Sequence, residues 1–158
     1  KGGLPLLDAF EEKLNTLLTD TYNNINKVEE DTLRKSGINA SISEVHLIDA
    51  VGRAEGSTVS GVAASLGITL ASVTVAVNKL VDRDMIAKEK NPEDRRSVRL
   101  KLTKEGVRAY RIHKYFHRKM VRAVLFGLDE REREAIYMGV DRLNEFFKES
   151  IEMEREEL

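Results

Sequence analysis

The sequence predicts a mainly α-helical chain of six helices interrupted by one small β-hairpin. Three observations carry that expectation. Apolar residues recur at helical spacing along most of the chain. Val98, Leu100 and Leu102 instead alternate with Arg99 and Lys101, the period of a half-exposed strand. Before them stands a proline-containing turn, Asn91-Pro92-Glu93-Asp94-Arg95-Arg96-Ser97, with two adjacent arginines.

Taken in order, Leu7, Phe10, Leu14, Leu17, Leu18, Ile25 and Val28 form the first stripe, a helix from about Leu6 to Leu33 that ends before Ser36-Gly37. A second helix starts at Ser43, carries Val45, Ile48 and Val51, and stops at Gly52. Ser57 or Thr58 caps a third, with Val59, Val62, Ala63 and Leu66 on one face and Gly67 supplying the turn. Thr69 caps a fourth whose Val73, Val77 and Leu80 point inward. Two short helices about a glycine turn are a helix-turn-helix pattern. Met85 to Lys90 then pairs with Val98 to Leu102 as a hairpin. Thr103 caps a fifth helix through about Phe126, and Asp129 caps a sixth with Ile136, Val140, Leu143, Phe147 and Ile151 on one face. A helix-turn-helix followed at once by a basic hairpin is far more specific than either alone. It predicts a winged helix-turn-helix, with the lobe at 43–102.

Composition narrows the function. The 158 residues fit a single domain, 1–158, small enough for oligomerisation to supply part of its burial. Charged residues are 34% of the chain but the net charge is −1, so attraction to nucleic acid must come from local basic patches. There is no cysteine, which removes disulfides and thiolate metal sites. No nucleophile elbow, phosphate loop or paired-carboxylate motif is present, so neither an enzyme nor a bound cofactor is expected. No apolar run approaches the ~20 residues of a membrane span, and no membrane partner is expected. The chain opens on Lys1-Gly2-Gly3, with no initiator methionine and no signal-peptide pattern, as a trimmed amino terminus would. A cytoplasmic location is the expectation.

From Ile42-Ser43 through the fourth helix to Asp94-Arg95-Arg96 and the closure Leu102-Thr103-Lys104-Glu105-Gly106, the chain resembles the MarR family of winged helix-turn-helix regulators. Ile42 to Gly52 and His113-Lys114-Tyr115-Phe116-His117-Arg118-Lys119-Met120 are similar to FabT-type repressors of bacterial fatty acid synthesis. The resemblance implies a homodimer on a pseudo-palindromic duplex, with helices 6–33 and 103–153 forming the dimer interface. It also implies a long-chain acyl group on acyl carrier protein as corepressor. Candidate effector-pocket residues are Leu18, Tyr22, His46, Ile48, Val51, Phe116, His117 and Met120, the six other than the histidines each also an ordinary core residue type.

The face of the fourth helix opposite Val73, Val77 and Leu80 supplies the candidate DNA contacts: Thr69, Ser72, Thr74, Val75, Asn78 and Lys79. It carries no arginine for bidentate guanine recognition, so an A·T-rich site read partly through shape is expected. Arg96 matches the family's wing-tip arginine, which enters the minor groove. Asp94 matches the aspartate that orients it, and Arg95 is a further phosphate or groove contact.

The histidines open a different reading. His113 and His117 are four residues apart on one helix face, and His46 or a carboxylate could complete a metal site. The resemblance lends this weight, because zinc-sensing members of the family use a histidine pair on this helix. The alternative function is therefore a regulator responding to zinc, or to another small apolar or aromatic ligand. The plainer expectation is no metal, with His46 and His117 hydrogen-bonded at a helix junction and His113 facing water.

Overall fold

The computed structural model describes residues 6–53, 58–90 and 98–156. Six helices and two strands follow the order α1 (Ala9–Lys35), α2 (Ile42–Arg53), α3 (Val59–Leu66), α4 (Leu70–Asp82), β1 (Ile86–Lys90), β2 (Val98–Leu102), α5 (Lys104–Leu125) and α6 (Glu130–Glu156). The fold is a winged helix-turn-helix. The chain divides into two compact units, Lys1–His117 and Arg118–Leu158, the boundary falling within α5.

Helix starts differ slightly from the sequence expectation, and capping chemistry explains why. Asp8 accepts from the backbone of Phe10 and Glu11 while Glu11 reaches back to the Asp8 N–H at 2.8 Å, so α1 begins at Ala9 rather than Leu6. Ser41 and Glu44 do the same for α2, which starts at Ile42, one residue earlier than expected. Thr58, not Ser57, caps α3 by accepting from the Gly61 N–H; Ser57 lies outside the described residues. Gly67 leaves α3 at φ +67°, a left-handed geometry that costs glycine nothing and lets α4 turn away at once. Asp129 and Glu132 cap α6 reciprocally.

The first unit has one apolar core. Leu33, Val45, Ile48, Val62, Val73, Val77, Leu80, Ile86 and Leu100 are all at most 1% exposed, each burial contributing about 1.5–3 kcal/mol. α2 packs against α3, α4 and β2, and so forms the floor of the lobe. The strands pair antiparallel with Ile86 opposite Leu102 and Lys90 opposite Val98, and Thr58 bridges to Arg99, fastening the start of α3 to β2. Thr103 holds the base of the hairpin to α5: its hydroxyl donates to the Asp84 carbonyl at 2.5 Å and accepts from the Gly106 N–H at 3.1 Å.

α1 and α6 are different. Phe10, Leu14, Leu17 and Leu18 of α1 are exposed, and no residue of α6 with a described side chain is buried. Two 27-residue helices with apolar stripes open to water need a covering surface. Among the described residues no single helix is long and apolar enough to cross a membrane. The α3–α4 pair passes on length and composition but is bent by 116°.

Candidate nucleic-acid interface and histidine cluster

Burial decides which face of α4 is free. Val73, Val77 and Leu80 are fully buried, and the six residues expected to meet DNA, Thr69, Ser72, Thr74, Val75, Asn78 and Lys79, are all exposed. Thr69 is also the N-cap, accepting from the Ser72 N–H, with the two hydroxyls 2.8 Å apart. The Thr74 hydroxyl donates to the Leu70 carbonyl at 2.7 Å, so it presents its lone pairs outward. Asn78 Oδ1 accepts from Lys88 Nζ at 2.6 Å, which ties α4 to β1 and leaves the amide N–H donors available. Val75 offers an apolar contact suited to a thymine methyl.

The first turn of α4, like that of α3, carries no acid. α1, α2 and α6 place a glutamate three residues after the cap, whereas α4 has Ser72 there and no acid in its first turn. A helix start without carboxylates keeps its positive dipole end open to a phosphate.

Arg83, just past α4, is committed to structure. Its guanidinium donates to the Glu44 carboxylate, to the Asn39 carbonyl at 2.8 Å and to the Lys79 carbonyl at 3.2 Å. Burial pushes the Glu44 carboxyl up, but hydrogen bonds from Arg83 and Ser41, with the Arg83 charge, outweigh it and hold the group below its ordinary value. This pair fixes α4 on α2. Asp94, Arg95 and Arg96 lie outside the described residues; the hairpin that leads to them exposes Lys88, Lys90 and Lys101, the last paired with Glu89 at 3.5 Å.

The expected effector-pocket residues do not share one environment. Ile48 and Val51 belong to the core, Leu18 and Tyr22 are exposed, and His46 is exposed beside His117, which contacts the Phe116 ring at 5.3 Å between centroids. Met120 stands in the second unit. A groove of about 920 Å³ opens elsewhere, lined by Lys35, Lys104, Arg108, Arg111, Val107 and Ile112, with Glu105 paired to Arg108 at 2.8 Å.

The histidines require a correction. His113, expected to face water, is the buried one at 5% exposure, because it falls in phase with Gly106 and Ala109 on the inner face of α5. Its Nδ1 meets Oε1 of Glu29, itself 1% exposed on α1. His117 Nε2 lies 3.5 Å from Glu29 Oε2 and makes no hydrogen bond among the described residues. One donor atom from each of Glu29, His46, His113 and His117 falls within 4.8 Å of the others, bringing α1, α2 and α5 to one point. Burial first, then the charge of His113, lowers the His117 pKa and favours the neutral imidazole that ligates a metal. Glu29 was missed in the sequence. Its signal was an acid in phase with Ile25 and Leu33, on the face where α1 should be apolar.

An exposed polar helix seated by its apolar face, a glycine-turned partner helix and a basic hairpin define the class of winged helix-turn-helix DNA-binding regulators. Comparison with known proteins agrees. The MarR family signature matches residues 36–97. A solved chain of Streptococcus pneumoniae FabT in complex with DNA is 37% identical and superposes with a TM-score of 0.81, over 87% of this chain and 97% of that one. The HTH-type transcriptional regulator PchR of Bacillus subtilis is 28% identical over 87% of this chain and 80% of its own length. The chain belongs to the MarR family and is a DNA-binding transcriptional regulator.

Proposed function

We propose that the protein is a homodimeric repressor of fatty acid synthesis genes in the cytoplasm, binding an A·T-rich pseudo-palindrome and strengthened by long-chain acyl-acyl carrier protein. The likeness to FabT, solved on DNA at 37% identity, carries this reading. Two-fold pairing through the exposed stripes of α1 and α6 buries surface that a lone chain leaves wet, and places two α4 helices in successive major grooves ~34 Å apart. The outer face of α4 suits phosphate, thymine methyl and adenine contacts. Asp94, Arg95 and Arg96 supply the minor-groove arm of the same reading. The groove of Lys35, Lys104, Arg108 and Arg111 stays net basic with Glu105 paired to Arg108, which suits an acidic carrier protein, and Val107 and Ile112 add apolar lining. A corepressor acts by binding better to the dimer geometry that fits the operator.

The test is fluorescence-anisotropy titration of an A·T-rich palindromic element from a fatty-acid-synthesis promoter, with acylated carrier protein, unacylated carrier protein and zinc added separately. Tightening by the acylated carrier protein alone is the expected result. Unchanged affinity with it removes the corepressor assignment. The four-donor cluster favours a second reading, a regulator that answers to zinc, in which Glu29, His46, His113 and His117 hold the ion. In that case zinc alone moves the titration.

A further inference from the structure

We infer that the buried Asp49 is the positioning carboxylate of the histidine cluster, orienting His113 to ligate a zinc-class cation through Nδ1 and tying the site to α2. The inference rests on the metal reading of Glu29, His46, His113 and His117 given above.

Asp49 is 1% exposed, and a carboxylate so far from water needs partners for both oxygens. Only one oxygen is served by hydrogen bonds. Oδ2 accepts from Arg53, Nε at 2.6 Å and Nη2 as well, an ordinary pair one turn along the helix. Oδ1 makes no hydrogen bond among the described residues. It faces Lys114 Nζ at 3.4 Å and His113 Nε2 at 4.0 Å. A buried carboxylate oxygen that is ion-paired with Lys114 but makes no hydrogen bond among the described residues, near the outer nitrogen of an imidazole whose inner nitrogen enters a donor cluster, is the arrangement of a metal-ligating histidine and its supporting acid.

While His113 Nδ1 donates to Glu29, a neutral ring has a bare Nε2, and two lone pairs confront each other across to Asp49. A cation held at Nδ1 would displace the proton there, and the neutral ring would carry its one proton on Nε2 as a donor to Oδ1. No proton is gained or lost by the ring, and Oδ1 would gain a hydrogen-bond donor beside the Lys114 ammonium. Glu29 then turns its freed oxygen to the ion. The new hydrogen bond draws α5 toward α2, and α2 is the helix against which α3, α4 and β2 pack.

Asp49 has a competing role as the mere partner of Arg53, and the experiment separates the two. Zinc affinity is measured by competition with a chromophoric chelator on the full chain as wild type, Asp49→Asn and Arg53→Gln. The His113 tautomer in the zinc-loaded wild type is read from long-range nitrogen–proton NMR. The inference expects zinc bound with His113 ligated at Nδ1 and protonated at Nε2. It expects Asp49→Asn to weaken zinc by about 10- to 100-fold. Arg53→Gln, which takes the exposed guanidinium off the buried Oδ2, keeps an amide donor there and leaves Oδ1 in place, should change affinity far less than Asp49→Asn does. Equal zinc affinity in Asp49→Asn and wild type overturns it, as does equal weakening by Arg53→Gln. Should Asp49→Asn fail to fold, the wild-type tautomer decides, and ligation through Nε2 refutes it. A wild type that binds no zinc removes the metal reading and this inference together, whereas zinc binding indifferent to Asp49 removes only the inference.

Discussion

Alanine at Gly106 puts a methyl group where α5 passes over the base of the hairpin. Its Cβ would stand 2.0 Å from the Met85 carbonyl oxygen, 3.0 Å from the Met85 carbonyl carbon and 3.4 Å from Leu102 Cβ. Carbon and oxygen in contact settle at about 3.3 Å, so something must move by more than ~1 Å. Neither side yields cheaply. The Met85 carbonyl accepts from the Thr103 N–H at 3.2 Å, and its own N–H is held by the Leu80 carbonyl at 2.8 Å. Overpacking of this kind costs ~1–3 kcal/mol, and loosening the Thr103 bond adds ~1 kcal/mol. Alanine returns ~1 kcal/mol of helix preference. The net is a destabilisation of about 2 kcal/mol, which for a chain of this size lowers Tm by roughly 4–8 °C. Circular-dichroism melts of Gly106→Ala and wild type measure it. A melt within about 1 °C of wild type refutes the claim that the hairpin base and α5 are fitted at the backbone.

Three further outcomes follow from the same geometry. The folded-state pKa of Glu44 is depressed, so its pairing with Arg83 stabilises the fold above the ordinary carboxylate pKa and that contribution is lost as pH falls through the folded value. The stability gap between wild type and Glu44→Gln should therefore shrink on acidification, as urea melts at neutral and acid pH will read. Leu17→Glu places a charge in the exposed stripe of α1, and light scattering should find a mass near 17.9 kDa in place of twice that value; a persistent dimer would exclude this stripe from the interface. Thr69→Ala removes the α4 cap and should cost ~1 kcal/mol in a urea melt, without altering dimer mass.

Much of the lobe was legible because local chemistry and packing agree there. Thr58, Gly67, Thr69 and Thr103 mark helix ends by mechanisms that act within four residues, and the alternation of Val98 to Leu102 can bury only one face. The misplaced starts of α1 and α2 came from weighing apolar stripes above the Asp8–Glu11 and Ser41–Glu44 capping boxes. The cluster was half legible. The spacing of His113 and His117 put both on one face of α5, but not which of them is buried, since that depends on α1 and α2 packing against the same turn. Glu29 and Asp49 looked like ordinary helix acids, and only the fold shows that each is 1% exposed. The apolar residues expected to wall the effector pocket share no mark that separates a ligand tunnel from a core, and Ile48 and Val51 are core residues.

If the first turn of α4 sits against DNA phosphate, Ser72→Glu will weaken operator binding while the fold is protected. Glutamate at this position completes with Thr69 the capping box that α1, α2 and α6 already use, so the helix should hold or gain ~0.5–1 kcal/mol. The same carboxylate would meet the operator backbone. Anisotropy titration of the A·T-rich palindrome should show affinity reduced by ~1–3 kcal/mol, roughly 5- to 150-fold, in a protein whose melt is unchanged or raised. Wild-type affinity in Ser72→Glu would contradict the account and turn α4 away from the groove.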